Sequence, residues 1–246
     1  MTDPVYRTIL LFDIEQFGSR DDVEQAYLRR VLYDVVDATL VAATVDETTA
    51  LRADRGDSVM ELIDTQVSVP ALVKTLLTET PSLLHSKNRL LASSARIRLR
   101  IVLSSGYVAV DELDGWVGSD LNHAVRLLDS EVLRDALKQR DGDCVLCVSD
   151  GVYDGVVRHG PLGVRPDNFH RVTVDTKEGP TVAWLHGTPP RAGEPTAPCS
   201  PPVETAGAGT GAPVSHTSIA GDQYGVSGGT VHGGLHFGRP DRGGLR

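Results

Sequence analysis

Two aspartates stand where apolar runs end or begin. Asp13 follows the run Ile9–Phe12, and Asp57 follows Gly56 directly before the alternating segment Ser58–Ile63. A carboxylate at a strand end adds nothing to a hydrophobic core, which points to a functional role for both side chains. If the two strand ends meet in space, they supply the hard oxygen ligands that Mg²⁺ or Mn²⁺ prefers. We therefore predict one metal site at Asp13 and Asp57.

A second pair of polar side chains lies four residues apart in a segment with helical periodicity. Leu121, Val125 and Leu128 form the apolar stripe of that segment, and Asn122 and Arg126 project from an adjacent face. An amide beside a guanidinium can stabilise negative charge that develops in a reaction. The alternative is a solvated helix face with a surface arginine, and the pair alone does not separate these two interpretations.

Strand and helix patterns alternate through the first 187 residues. Alternating apolar residues predict strands at 6–12, 50–53, 58–63, 144–148, 170–174 and 181–186. Helical periodicity predicts helices at 22–45, 69–85, 120–139 and 151–158. A hairpin is predicted around "SSG", between strands at 96–103 and 107–110. This order predicts an α+β fold, with helices on one face of a mainly antiparallel sheet.

The composition changes after residue 187. Residues 188–246 are rich in Pro, Gly, Ala and Thr and contain few large apolar side chains. Such a segment cannot bury enough surface to offset the entropy cost of ordering it. We therefore predict one folded domain at 1–187 and a mostly disordered tail at 188–246. A short Gly/His/Val motif at 223–238 is the part of the tail that could dock on a protein partner.

Charge and cysteine usage restrict the class of protein. The formal net charge of −9, with no long basic run, argues against a nucleic-acid partner. Three cysteines, an odd and low number, favour the reducing cytoplasm. We find no signal peptide and no apolar run long enough to span a membrane, so no membrane partner is expected. The Cys144/Cys147 spacing lacks the second pair of a zinc site, which favours buried structural thiols.

Four motifs, taken in order, resemble the class III nucleotidyl cyclases, the adenylate and guanylate cyclases. They are "FDIEQF" at 12–17, "RGDSV" at 55–59, the spacing Gly118, Asn122, Arg126, and "VDTKEG" at 174–179. The resemblance covers roughly residues 6–186 and implies a ferredoxin-like βαββαβ sandwich of the class III cyclase type. The tail resembles, more weakly, the Gly-, His- and Val-rich C-terminal extensions of actinobacterial proteins, which would make the chain a divergent member of actinobacterial type.

The resemblance also implies roles for individual residues. Asp13, Asp57 and the Ile14 carbonyl would hold two Mg²⁺ (or Mn²⁺) ions per site, and backbone N–H groups of Glu15–Gly18, including Phe17 and Gly18, would cradle phosphates. Asn122 would orient the ribose, and Arg126 would stabilise charge on the α-phosphoryl group. Lys177 would hold the terminal phosphates. The substrate would be a nucleoside triphosphate, converted to a 3′,5′-cyclic nucleotide and pyrophosphate. In the family the metal aspartates and the Asn/Arg pair come from opposite subunits, which implies a homodimer.

The positions that read the base depart from the family pattern. Adenine-selective members carry a lysine shortly before the Gly-Asp turn, where this chain has Leu51 or Ala53. They also carry an aspartate seven residues before the asparagine, where this chain has Gly115, with Asp114 beside it. The sequence therefore selects no base. It also leaves open a catalytically degenerate cyclase-like module for nucleotide binding, signalling or protein interaction, while a purely structural dimerisation domain would leave the two aspartates unexplained.

Overall fold

The computed structural model describes residues 3–92, 95–113, 115–176 and 179–187. The predicted tail at 188–246, with its motif at 223–238, lies outside these residues, so its disorder and its protein partner stay predictions. Lys177 and Asp114 also lie outside them. Among the helices that the structure describes, none has the length and apolar character needed to cross a membrane.

The described residues form one sheet of eight strands and five α-helices, joined by short 3₁₀ turns. The strands are β1 (Val5–Ile14), β2 (Ala50–Asp54), β3 (Ser58–Ile63), β4 (Leu99–Val110), β5 (Trp116–Val117), β6 (Cys144–Ser149), β7 (Phe169–Thr176) and β8 (Gly179–His186). The helices are α1 (Asp22–Ala42), α2 (Val69–Asn88), α3 (Ser119–Leu128), α4 (Glu131–Lys138) and α5 (Asp150–Gly155). The predicted α+β class is confirmed.

The order of the strands puts β1 near the middle of the sheet. The order is β2-β3-β1-β4-β6-β8-β7, with β5 added beside β4. Neighbours are antiparallel except for β4 and β6, which run parallel. Because β1 lies between β3 and β4, the end of β1 is flanked on both sides by backbone, and a side chain there is held in a fixed place.

Helices cover both faces of the sheet, so the prediction of helices on one face is wrong. Leu10 and Phe12 of β1 pack in a first core with α1, α2 and α5. Ile9 and Leu11 pack in a second core with α3 and α4. Successive strand residues point to opposite faces, and a run in which every residue is apolar has both faces buried. The continuous apolar run of β1 was the signal for this arrangement.

The predicted hairpin around "SSG" is one continuous strand. Ser104 and Ser105 of β4 pair with Ile9 and Thr8 of β1, and the register continues without interruption through Gly106. Gly106 is needed for close approach and not for a turn, because a Cβ there would lie 2.2 Å from the Asp120 side chain. The Asp120 carboxylate instead accepts a hydrogen bond of 2.7 Å from the Tyr107 N–H.

The predicted helix at 120–139 is two helices, α3 and α4. The break is at Ser130, which caps the start of α4 by accepting a hydrogen bond from the Leu133 N–H. The same hydroxyl donates to the Leu127 carbonyl over 2.7 Å and so closes the end of α3. A serine hydroxyl that hydrogen-bonds to nearby backbone groups can end one helix and begin the next.

The two cysteines of β6 are structural, as the sequence predicted. Cys147 is buried and Cys144 is half-buried, and both are free thiols. Burial raises the pKa of each thiol to about 12, so both stay protonated near neutral pH and are poor nucleophiles and metal ligands.

Candidate metal and nucleotide site

Asp13 lies at the end of β1, between a residue of β3 and a residue of β4. Its register partners are Ser58 on one side and Arg100 on the other. Because Ile9 and Leu11 point toward α3 and α4, the alternation of the strand places Asp13 on that same face. Asp13 is only 6% exposed. A carboxylate in this position is held rigidly and is largely removed from water.

Asp57 lies in the tight turn between β2 and β3. The Arg55 N–H donates to the Ser58 carbonyl over 2.9 Å, which leaves Gly56 and Asp57 as the two turn residues. Gly56 has φ of +88°, a conformation that glycine adopts without a steric penalty. The turn is braced by Arg29 of α1, which donates to the Gly56 carbonyl over 2.8 Å. The turn therefore holds Asp57 in a fixed, half-buried position.

The end of β1 and the β2–β3 turn meet directly. The Ile14 N–H donates to the Asp57 carbonyl over 3.0 Å. The N–H and C=O of one strand residue point to the same side, so the Ile14 carbonyl is expected to face this turn as well. Burial raises the pKa of Asp13 to about 6; Arg100 opposes this shift, and the Asp57 carboxylate adds to it. The two aspartates are thus close enough to interact, as one shared site requires.

Arg100 is a site residue that the sequence analysis did not select. Its Nε donates to the Asp13 carboxylate oxygen Oδ2 over 2.9 Å, and its terminal nitrogen contacts the same oxygen. It also donates to the Leu128 carbonyl at the end of α3. The signal was an arginine at an inward position of the buried strand β4, where the β1–β4 register pairs it with Asp13.

The donor set fits a hard divalent cation. Two carboxylates and a backbone carbonyl are oxygen ligands, and Mg²⁺ commonly binds through one or two carboxylates with substrate phosphates and water completing its shell. Both Arg100 donors use Oδ2 of Asp13, so Oδ1 can still face a cation. Within the described parts of the chain, no group of three or more His, Cys, Asp or Glu side chains is arranged to hold a metal. A cation at this site would therefore need further oxygen ligands, such as the phosphates of a bound substrate.

The loop after β1 differs in part from the phosphate cradle expected at Glu15–Gly18. The Glu15 N–H donates to the Arg98 carbonyl over 2.9 Å, so a cradle can use only N–H groups after Glu15. Gln16 has φ of +55°, an uncommon left-handed conformation that turns the chain sharply away from β1. Phe17 is half-buried against the first core, and Gly18 is exposed.

Asn122 and Arg126 lie on α3, as predicted, on the side away from its packed residues. Leu121, Ala124, Leu127 and Leu128 are buried, whereas Asn122 is exposed and Arg126 is half-buried. Asp129, one further turn along this side of the helix, is close enough to raise the pKa of Asp13. The end of α3 therefore approaches the Asp13 carboxylate, and Asn122 lies about two turns farther away along the helix.

The described residues at the positions expected to read the base are Leu51 or Ala53 and Gly115, and none is a lysine or aspartate. Leu51 is exposed and Ala53 packs against the second core, so neither side chain can donate a hydrogen bond to a base. Gly115 lies in a turn where its N–H donates to Asp111 over 2.7 Å. At these positions the chain therefore lacks the hydrogen-bonding side chains of the adenine-selective pattern.

The sequence matches no protein-family model and no curated protein sequence. Solved structures are nevertheless similar in fold. The guanylyl cyclase Cya2 matches with a TM-score of 0.52 at 17% identity, covering 79% of this chain and 96% of that one. The adenylate/guanylate cyclase/hydrolase of Silicibacter pomeroyi matches with a TM-score of 0.53 at 17% identity, covering 76% and 99%. A bacterial light-regulated adenylyl cyclase gives 0.52 at 17%, covering 75% and 91%.

These matches cover most of the described residues and nearly all of each cyclase chain. At this level of identity they establish the fold and leave residue roles open. The chain has the fold of class III adenylate/guanylate cyclase catalytic domains.

Proposed function

We propose that this chain is a nucleotidyl cyclase that uses Mg²⁺ or Mn²⁺ and works as a homodimer with shared sites. It would convert a nucleoside triphosphate to a 3′,5′-cyclic nucleotide and pyrophosphate. The observation that carries this proposal is the junction of Asp13 and Asp57, joined through the Ile14 N–H and the Asp57 carbonyl, within a cyclase fold. A structural role does not account for two interacting carboxylates at one edge of the sheet.

Each proposed role follows from the chemistry of cyclisation. The ribose 3′-oxygen forms a bond to the α-phosphorus as the bond from that phosphorus to the pyrophosphate oxygen breaks. The hydroxyl proton passes to solvent, and pyrophosphate leaves. The bound cations, held by Asp13, Asp57 and the Ile14 carbonyl, would activate the hydroxyl and neutralise the triphosphate. Arg126 would stabilise charge on the α-phosphoryl group, and Asn122 would orient the ribose.

The phosphates would be held by groups outside the metal site. N–H groups at Phe17 and Gly18 follow β1 directly and could bind phosphate oxygens. Lys177, between β7 and β8, would hold the terminal phosphates. Asn122 is exposed and Arg126 is half-buried, both on the side of α3 away from its packed residues. A second copy of the chain is the partner that would bring this side over the Asp13 and Asp57 of its neighbour.

The test is an assay of the full chain with each of the four nucleoside triphosphates and Mg²⁺ or Mn²⁺, with cyclic products identified by mass spectrometry. We expect a cyclic product from at least one nucleotide, abolished by chelation of the metal. Asp57→Asn should reduce the rate by at least about 10²-fold, since an amide binds the cation poorly. Asp154→Asn is the matched control, because Asp154 is an exposed partner of Arg158. Equal activity in both variants would contradict the proposal.

A second candidate function is a degenerate cyclase-like module that binds nucleotide without turnover. Two observations favour it. An apolar residue, Leu51 or Ala53, stands where a base-reading lysine is expected. The Arg100 guanidinium also already neutralises Asp13, a residue that a cation would need. Binding of a nucleoside triphosphate, measured by titration calorimetry, without any cyclic product in the assay above would select this function.

A further inference from the structure

A cavity lies between the end of α1 and the edge strand β2. Its volume is about 360 Å³, the size of a small-molecule site. Ala50 and Arg52 of β2 form one wall, and the strand then runs on to the Asp57 turn. The other lining residues are Asp37, Leu40, Val41, Val45, Asp46, Glu47 and Glu61. The lining thus contains none of the residues assigned to the metal and nucleotide site.

Aliphatic side chains form part of the lining. Leu40 and Val45 are buried members of the first core, whereas Val41, at the end of α1, is 75% exposed. Burial of apolar surface against such side chains is favourable, and a ligand that covers Val41 gains this term without any change in the core. The cavity therefore suits a ligand with an aliphatic body.

The charges around the cavity are mostly negative. Four carboxylates and one guanidinium, that of Arg52, line it, which gives a net formal charge of −3. Hydrogen bonds from Thr48 hold the pKa of Asp46 below its ordinary value, so this rim carboxylate is ionised near neutral pH. A concave surface with this charge attracts cations and disfavours anions such as phosphates.

Glu61 is the unusual member of the lining, because it is a carboxylate only 1% exposed. It lies on β3 between Val59 and Ile63, which are both buried in the first core. The Arg52 Nε donates to its Oε1 over 2.5 Å, and the hydrogen bonds of the described residues leave its Oε2 without a donor. A buried carboxylate oxygen without a donor is costly, so an N–H group in the cavity would gain a strong partner there.

Arg52 is already fully engaged on its wall of the cavity. Its terminal nitrogen contacts Asp37 at 2.7 Å, and its guanidinium lies over the Tyr33 ring, 5.3 Å from the centroid. An apolar residue in place of Glu61 would match its neighbours on β3 and would stabilise the fold at least as well as a buried ion pair. Stability therefore gives no reason for a carboxylate at this position, whereas recognition of a cation does.

We propose that this cavity binds a small aliphatic diamine in its doubly protonated form. One ammonium group donates to Oε2 of Glu61, and the second lies at the rim with Asp46 and Glu47. The methylene chain packs against Leu40 and Val41. An amine is favoured over a bare metal ion because the lining is partly aliphatic, and two charges are favoured over one because of the net charge of −3. The inference goes beyond the proposed function and does not rest on it.

The test is titration calorimetry of the full-length chain with 1,4-diaminobutane, with butylamine as the singly charged comparison. We expect saturable binding of one diamine per chain, with a Kd below about 1 mM, and binding of butylamine at least about tenfold weaker. Glu61→Gln keeps the shape of the side chain and removes its charge, and it should weaken diamine binding at least about tenfold. Its thermal midpoint, measured alongside, reports whether the variant is folded.

A second variant keeps the experiment decisive if Glu61→Gln does not fold. Asp46→Asn/Glu47→Gln changes only exposed side chains, and asparagine can still cap the 3₁₀ turn at Glu47–Thr49. It should weaken diamine binding about threefold or more, as expected for partly screened charges. Glu131→Gln/Asp135→Asn is the matched control. It makes the same change in net charge on exposed positions of α4, a helix that packs in the second core, and should leave affinity unchanged.

Four results would each overturn the inference: no saturable binding by wild type, butylamine bound as tightly as the diamine, wild-type affinity in the Asp46→Asn/Glu47→Gln variant, or an equal loss in the α4 control. The titration contains no nucleotide, so its outcome is independent of cyclase activity. Diamine binding that depends on the rim carboxylates, in a chain that makes no cyclic product, would support this site and contradict only the proposed function.

Discussion

Asp13 and Arg100 form an ion pair with both side chains nearly removed from water, at 9% and 11% exposure. Such a pair is weak evidence for stability, because each charge costs desolvation, but removal of one partner leaves the other uncompensated. Burial raises the pKa of Asp13 from the ordinary 3.8 to about 6, although Arg100 opposes this shift. A bound cation could therefore replace Arg100 as the group that neutralises the Asp13 carboxylate.

Arg100→Met should destabilise the fold more at high pH than at low pH. Without Arg100, burial and the Asp57 carboxylate still raise the pKa of Asp13, and nothing from Arg100 lowers it. A folded-state pKa above the unfolded value means that stability falls as pH rises between the two values. We expect a loss of about 3 kcal/mol in the free energy of unfolding at pH 8, and a clearly smaller loss at pH 5, where Asp13 is protonated.

Urea unfolding of wild type and variant at the two pH values measures this difference. Arg158→Met is the control, because its partner Asp154 is exposed, and it should change the free energy by less than about 0.5 kcal/mol at both. A loss for Arg100→Met that is the same at pH 5 and pH 8 would argue that packing of the arginine, and not its charge, stabilises the site.

The break between α3 and α4 determines what faces the site. The Ser130 cap ends α3 beside Arg100 and starts α4, with Leu133 and Leu137 packed in the second core. A single serine between two apolar periodic segments therefore sets where one helix ends and the next begins.

Ser130→Ala should lower stability by about 1 kcal/mol, the usual cost of losing an N-cap, and the thermal midpoint by about 2–4 °C. Ser68→Ala is the matched comparison, since Ser68 caps α2 on the other face of the sheet, and it should cost a similar amount. Thermal unfolding measures both variants. A Ser130→Ala midpoint equal to that of wild type would contradict the role of Ser130 as a cap.

The sequence was informative where local periodicity and end signals agree. The alternation at 58–63 and the helical stripe at 22–45 correspond closely to β3 and α1. It was misleading where a polar residue has a tertiary partner, as at Ser104, which reads as a turn and is a buried member of β4. Arg98 and Arg100 were missed for the same reason. Their importance depends on the register of β1 against β4, which no local pattern reveals.

Across the whole molecule, the fold brings one half of the proposed site together and leaves the other half on an outer helix. Asp13, Asp57 and Arg100 meet at the end of the central strand β1. Asn122, on the side of α3 away from the sheet, is exposed. We therefore propose that two chains build each site, with a two-fold partner supplying Asn122 and Arg126 to the Asp13 and Asp57 of the other chain.

Complementation between two inactive variants tests this claim most directly. An Asp13→Ala chain lacks a metal ligand, and an Arg126→Ala chain lacks the guanidinium, so a mixed dimer carries one doubly damaged site and one intact site. Equal amounts of the two, after subunit exchange, should recover about a quarter of the wild-type rate of cyclic-nucleotide formation, because half of the dimers are mixed and each has one intact site. A mixture that exchanges subunits but is no more active than either variant alone, beside an active wild type, would contradict the shared site.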